Sequence, residues 1–334
     1  MSRSCFRLLT PASNALLRLG AVLCLTTTLT SVASGAEWGP MQLLGRDIAA
    51  GTSARFAFTP DRTYEASYLN MPVFVARGIA AGPTLCLTAG VHGDELNGVE
   101  IARRAFSSID PSVLRGTVIA LPAINAEGVR TGNRYLSDRR DLNRAFPGSA
   151  GGSVARLIAH LVFTEVLVHC DALVDLHTAS NERTNLPQIR ADISDPEIRE
   201  LAIHFGTGIV IAGKGPEGSL RREAAKAGIP SIIYEAGAPH RFQEDEIMRG
   251  ANGIENVMAY FEMTDSPEKE IPDSRVYERS RWVRVSRGEG GFFFPEAGLG
   301  AIVKKGEALG NIIDPLTDES HAVVSSVSGE IIGM

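Results

Sequence analysis

The stretch LTAGVHGDELNGVE, residues 87–100, places His92 and Glu95 three apart where an apolar run gives way to a helical pattern. The run ahead of them, PTLCLTAGV (83–91), is short, apolar and edged by proline, as a buried strand is. Behind them, Leu96, Val99, Ala102 and Phe106 fall on one face of a helix. An imidazole and a carboxylate serve neither element, so the junction itself calls for a chemical reason.

The same alternation extends on both sides, from about Met71 to Met263. The candidate strands are PVFVARG, PTLCLTAGV, GTVIALPAIN, ALVDLHT, GIVIAG and PSIIYEAG. Helical patterns begin near Glu95, Gly152, Pro196, Ser219 and Glu244. Short buried strands alternating with amphipathic helices predict an α/β fold with a largely parallel sheet covered on both faces. In such a sheet ligands bind at the carboxyl ends of the strands.

That rule gathers the chemistry. His92 and Glu95 lie just beyond one strand and His177 ends another, so the three converge although 82 positions separate Glu95 from His177. Two imidazoles and a carboxylate suit a catalytic zinc, one per chain, with a fourth position kept for water. A third strand delivers Glu235 to the same edge as a general base beside water that the metal acidifies. The loop RTGNRYLSDRRDLNRAFPG (130–148) offers Arg134 for an oxyanion, Asn143 and Arg144 for a substrate carboxylate, and Asp141 to orient a ligand histidine.

Taken in order, HGDE (92–95), DLNRAFPG (141–148), DLHT (175–178) and YEAG (234–237) resemble the zinc site of the succinylglutamate desuccinylase/aspartoacylase family, relatives of the zinc carboxypeptidases. The likeness runs from about Pro72 to Phe261. It implies a zinc-carboxypeptidase-like mixed sheet flanked by helices. Residue by residue it implies His92, Glu95 and His177 as metal ligands, Glu235 as base, Arg134 at the oxyanion, Asn143 and Arg144 as carboxylate clamp, and Asp141 beside the first histidine. The activity it implies is hydrolysis of the amide of an N-acyl amino acid or related small carboxylate. A carboxypeptidase acting on short cell-wall peptides uses the same atoms and is the alternative. A non-catalytic binding protein on this scaffold would have no need of Glu235. His160, His169, His204 and His321 read as structural or surface residues, Arg139 and Arg140 fit an anionic pocket or a solvated loop equally well, and His240 receives no role.

The ends of the chain read differently. Residues 1–36 hold Arg3, Arg7 and Arg18, an apolar to small-residue run and Ser34-Gly35-Ala36, the pattern of a signal peptide cleaved near Ala36 for export to the periplasm or beyond. Losing those three arginines takes the net charge from −6 to −9, which argues against nucleic acid as a partner and against a membrane for the mature form. A small molecule, an N-acyl amino acid or a short peptide, remains. Of the cysteines outside the leader, Cys86 and Cys170 sit at or beside buried strands and read as quiet core thiols, with a single bridge as the other option.

The hydrolase domain thus spans 37–263, and the polar, proline-bearing stretch 264–275 reads as a linker. Residues 276–334 carry short β-type runs between glycine turns and read as a small all-β, barrel-like domain. Its runs resemble halves of a lipoyl-type barrel, but the hairpin DPLTDESHA (314–322) lacks the lysine that a carrier presents, so a packing or pocket-shaping role is expected. The chain stops at Met334 soon after the second run, so either the sequence is truncated or the barrel is completed in another way.

Overall fold

The structure, a computed structural model, describes residues 38–59, 70–180, 182–283 and 290–334. The expected leader and its cleavage point lie outside the described residues. In chain order the elements are β1 (Met41–Leu43), β2 (Arg46–Ile48), β3 (Thr52–Phe58), β4 (Met71–Arg77), β5 (Ala80–Ala89), α1 (Leu96–Ser107), β6 (Arg115–Leu121), α2 (Ala126–Thr131), α3 (Val154–Leu161), β7 (Ala172–His177), β8 (Asn185–Ala191), α4 (Pro196–Phe205), β9 (Ile209–Ala212), α5 (Leu220–Lys226), β10 (Ser231–Gly237), α6 (Glu244–Tyr260) and β11 (Arg275–Tyr277).

Nine of these strands form one sheet in the order β11-β9-β8-β10-β7-β5-β6-β4-β3. The centre, β10-β7-β5-β6, is parallel. Strands β3, β4 and β8 enter antiparallel to a neighbour, which makes the sheet mixed but largely parallel. Every residue of β7 and β10 is buried, which is why both read as unbroken apolar runs. Ile101, Phe106, Leu201, Phe205, Ile254 and Val257, from α1, α4 and α6, cover one face. Ala155, Ile158, Leu220 and Ala224, from α3 and α5, cover the other together with Leu43 and Ile48 of the β1-β2 hairpin.

One feature differs from the preferred sequence reading. Cys86 on β5 and Cys170 just before β7 form a disulfide rather than standing as separate thiols. The pairing of β5 with β7 brings their Cα atoms to 5.7 Å, within bridging range, and that register is a tertiary fact. The stretch after residue 263 lies against the domain. Lys269 N–H donates to Asn256, and Arg275–Tyr277 pair with the open edge of β9 as the ninth strand.

The remaining segment is all β. Strands β12 (Phe292–Pro295), β14 (Ala308–Ile313) and β15 (Ser320–Val324) form one antiparallel sheet, and β13 (Ile302–Val303) pairs with β16 (Gly329–Glu330). Glu330 accepts hydrogen bonds from Arg275 and Tyr277 on β11. Beyond it, Thr184 and Leu186 N–H groups donate to the carbonyls of Met334 and Ile332. Among the described residues no helix is long and apolar enough to cross a membrane.

Candidate active site

The three adjacent strands β5, β7 and β10 end at one edge, and each delivers part of the site. The β5–α1 junction carries His92 and Glu95, β7 ends in His177, and Glu235 on β10 pairs in register with His177. Two glycines allow the junction. A Cβ at Gly93 would run into the backbone of Gly128 on α2, and one at Gly98 into the Leu176 carbonyl, so the turn and the first helical turn press directly on their neighbours. Glu95 occupies the N-cap of α1, yet its side chain makes no capping bond. The carboxylate is turned instead to His177 Nδ1 at 2.7 Å and to the Thr178 N–H at 3.2 Å.

His92, Glu95 and His177 are all buried, and they bring one ligand atom each within 4.8 Å of one another. His92 Nε2 lies 3.0 Å from Asp141 Oδ1, and His177 Nε2 lies 2.8 Å from Asp175 Oδ2. With Nε2–H donated to a carboxylate, each ring presents the lone pair of Nδ1 inward, as metal-binding imidazoles do. His92 Nδ1 is 2.8 Å from Glu95 Oε1 but not aligned for a hydrogen bond, and it is buried with no hydrogen-bond partner among the described residues. Charge points the same way. Burial pushes both imidazoles down, but Glu95 and Asp141 outweigh it at His92, and Asp175 and Glu95 outweigh it at His177, so both shift up. Glu95, although buried, is held well below the usual carboxylate range by the two imidazoles. The centre therefore attracts positive charge, and its donor set of two nitrogens and a carboxylate fits zinc.

Glu235 is buried, and burial pushes its carboxyl up while Arg190 opposes the shift. Asn185 Nδ2 donates to its Oε2 at 2.7 Å, and Arg190 Nη1 lies 2.8 Å from Oε1. Each oxygen retains a second lone pair for a proton. Arg134 donates to Glu95 Oε1 at 2.9 Å and to Asp141 Oδ2 at 3.3 Å. Asp141 also caps the turn Leu142–Arg144, through Asn143 N–H. Asn143 Oδ1 accepts the Leu220 N–H, which leaves its amide nitrogen to meet a ligand.

A cavity of about 330 Å³ opens over these groups, and Arg134, Asn143, Arg144 and Glu235 line it. That volume suits a small molecule. His160, His169, His204, His240 and His321 do not line it, nor do Arg139 and Arg140. The His240 main-chain N–H instead donates to the Asp94 carbonyl.

The wall also holds residues that the motifs do not reveal. Arg183 and Trp282 stack at 4.9 Å, and Asn185, Arg190 and Arg221 complete that side. Arg221 is buried, and its Nε and Nη1 have no hydrogen-bond partner among the described residues; burial lowers it to about 10. Asp175 had a legible signal, since residues two apart on a strand share a face and VDLH places an acid beside His177. The others come from segments without a motif.

Comparison with known proteins identifies the family and the fold. The model of the succinylglutamate desuccinylase/aspartoacylase catalytic domain matches residues 81–261. The chain is 26% identical to an N-alpha-acetyl-L-2,4-diaminobutyric acid deacetylase of Halomonas elongata, over 73% of this chain and 74% of that one. Among solved structures, a succinylglutamate desuccinylase/aspartoacylase of Rhodobacter sphaeroides superposes with a TM-score of 0.76 at 25% identity, covering 86% of this chain and 92% of that one. The ectoine utilization protein EutE (DoeB) of Ruegeria pomeroyi, in a product-bound structure, shares the fold with a TM-score of 0.77 at 22% identity, over 88% and 93% of the two chains. The family model spans more than half of the sequence, and the chain belongs to the succinylglutamate desuccinylase/aspartoacylase family.

Proposed function

We propose that this protein is a zinc-dependent hydrolase that removes the acyl group from a small N-acyl amino acid. The observation that carries the reading is the buried His92, Glu95 and His177 set, with both imidazoles backed by carboxylates and Glu235 at the next strand end. The family, and the deacetylase that the chain resembles, supply the reaction type.

His92 Nδ1, a Glu95 carboxylate oxygen and His177 Nδ1 would hold the zinc. Bound there, zinc polarises the amide carbonyl and acidifies a water beside it. Glu235 takes the proton of the attacking water on a carboxylate oxygen and passes it to the leaving amide nitrogen. Burial favours the first half of this role, because a carboxylate with a raised pKa takes up a proton more readily. Arg134, steadied by Glu95 and Asp141, supplies N–H donors to the developing oxyanion. Asn143 and Arg144 hold the substrate carboxylate.

Arg221 narrows the substrate further. Its guanidinium lines the cavity on the same side as Arg183 and Arg190, and three cations there suit a second anionic group better than the amine of a diaminobutyrate. We favour an acidic N-acyl amino acid, or an acyl group that ends in a carboxylate. Export of the mature chain fits the Cys86–Cys170 disulfide, since such bonds persist in oxidising compartments.

The test is metal analysis of the purified protein with a substrate screen. One zinc per chain, lost in His92→Ala/His177→Ala, and release of an acyl acid from acidic N-acyl amino acids support the reading. Removal of the C-terminal residue from peptides would favour a carboxypeptidase, and binding without turnover a non-catalytic protein.

A further inference from the structure

The segment Ile331–Met334 runs along the start of β8, and its contact reaches Glu235 through one residue. Thr184 and Met334 exchange two main-chain hydrogen bonds, of 2.8 and 3.0 Å, and Leu186 N–H donates to the Ile332 carbonyl at 2.9 Å. Asn185 and Gly333 thereby form an antiparallel bridge in the non-hydrogen-bonded position, where facing side chains stand closest. Asn185 is buried, and its amide nitrogen donates to Glu235 Oε2 at 2.7 Å. Gly333 has no side chain to oppose it. A Cβ at that position would stand 2.6 Å from Asn185 Oδ1, too close for the amide to keep its place.

We infer that Ile331–Met334 is a positioning element for the proposed base: Gly333 sets the Asn185 side chain, and Asn185 sets the Glu235 carboxylate. The β segment that follows the hydrolase sheet thus acts on the catalytic edge without lining the cavity at Gly333. Glu330 fixes the approach, held by Arg275 and Tyr277 on β11. Glu235 needs such a hold because it must face both the attacking water and the leaving nitrogen. Misplacement of a reacting group by about 1 Å costs on the order of 10²-fold in rate. Asn185 and Gly333 are positioning residues, since neither is asked to touch the reacting atoms. The catalytic half of the inference rests on the deacylase reading; the structural half does not.

The experiment compares Gly333→Ala, Asn185→Ala and the double variant in the full-length zinc-loaded protein. Both single variants should lower kcat by about 10- to 100-fold with KM nearly unchanged. The double variant should be no slower than Asn185→Ala alone, because the two residues act in series. A purely structural role would give additive losses, or would lower zinc content and Tm together, and either result overturns the inference. A second readout is independent of activity. In protein labelled with ¹³C at the Glu carboxyl, the Glu235 signal, identified by its loss in Glu235→Gln, should move in both single variants. If the wild type hydrolyses no N-acyl amino acid, the functional reading fails, while a Glu235 signal that still moves sustains the positioning inference. An unmoved signal in folded Gly333→Ala overturns it whatever the activity.

Discussion

Asp175 and His177 stand two residues apart on β7, and their side chains meet at 2.8 Å in the buried edge of the sheet. Thr88 on β5 donates to the other Asp175 oxygen at 2.7 Å, so the acid is fixed from both sides. This pair sets the face that His177 offers to a metal. Replacing Asp175 by Asn keeps the shape and removes the charge. We expect zinc affinity to fall about 10- to 100-fold, measured by competition with a chromophoric chelator, with the fold retained in circular dichroism. Unchanged affinity would reduce Asp175 to a packing residue.

The Cys86–Cys170 bridge joins β5 to the entry of β7, the two strands whose carboxyl ends lead to all three candidate ligands. It closes a long loop, with a sequence separation of 84. Cys86→Ala/Cys170→Ala should lose about 2–4 kcal/mol of stability, seen as a lower denaturant midpoint. Protein lacking residues 1–36, and with them Cys5 and Cys24, should show no free thiol until it is reduced. Thiol titration without reductant that finds both cysteines free would remove the bridge, and with it one support for export.

Arg221 tests substrate charge. If its guanidinium holds a second carboxylate in the cavity, Arg221→Met should raise KM for acidic N-acyl amino acids about 10- to 100-fold, the value of a charge-assisted bond, and leave neutral ones nearly untouched. An equal effect on both classes would return Arg221 to a structural role.

What could be read from the sequence divides along physical lines. The strands β5, β7 and β10 were legible because burial on both faces writes an uninterrupted apolar run. His92, Glu95, His177 and Glu235 were legible because they interrupt such runs at the carboxyl ends. Strand β8 was not, for its residues Asn185, Gln188 and Arg190 are polar, Pro187 breaks the pattern, and two of those polar side chains serve the cavity. The exposed edge strand β3 lacks an apolar run for the opposite reason, since much of it faces solvent. The disulfide, the Arg221 wall and the Gly333 contact all depend on which distant segments become neighbours, and no local pattern records that.

The central claim is that Glu235 moves the proton in a reaction centred on His92, Glu95 and His177. Its most direct test is kcat of zinc-loaded Glu235→Gln against wild type, on the best N-acyl amino acid from the screen. Glutamine preserves size and an acceptor for Asn185 but cannot take up the proton. The account predicts equal zinc content and a kcat lowered by about 10²-fold or more. Equal zinc content with unchanged kcat would contradict it.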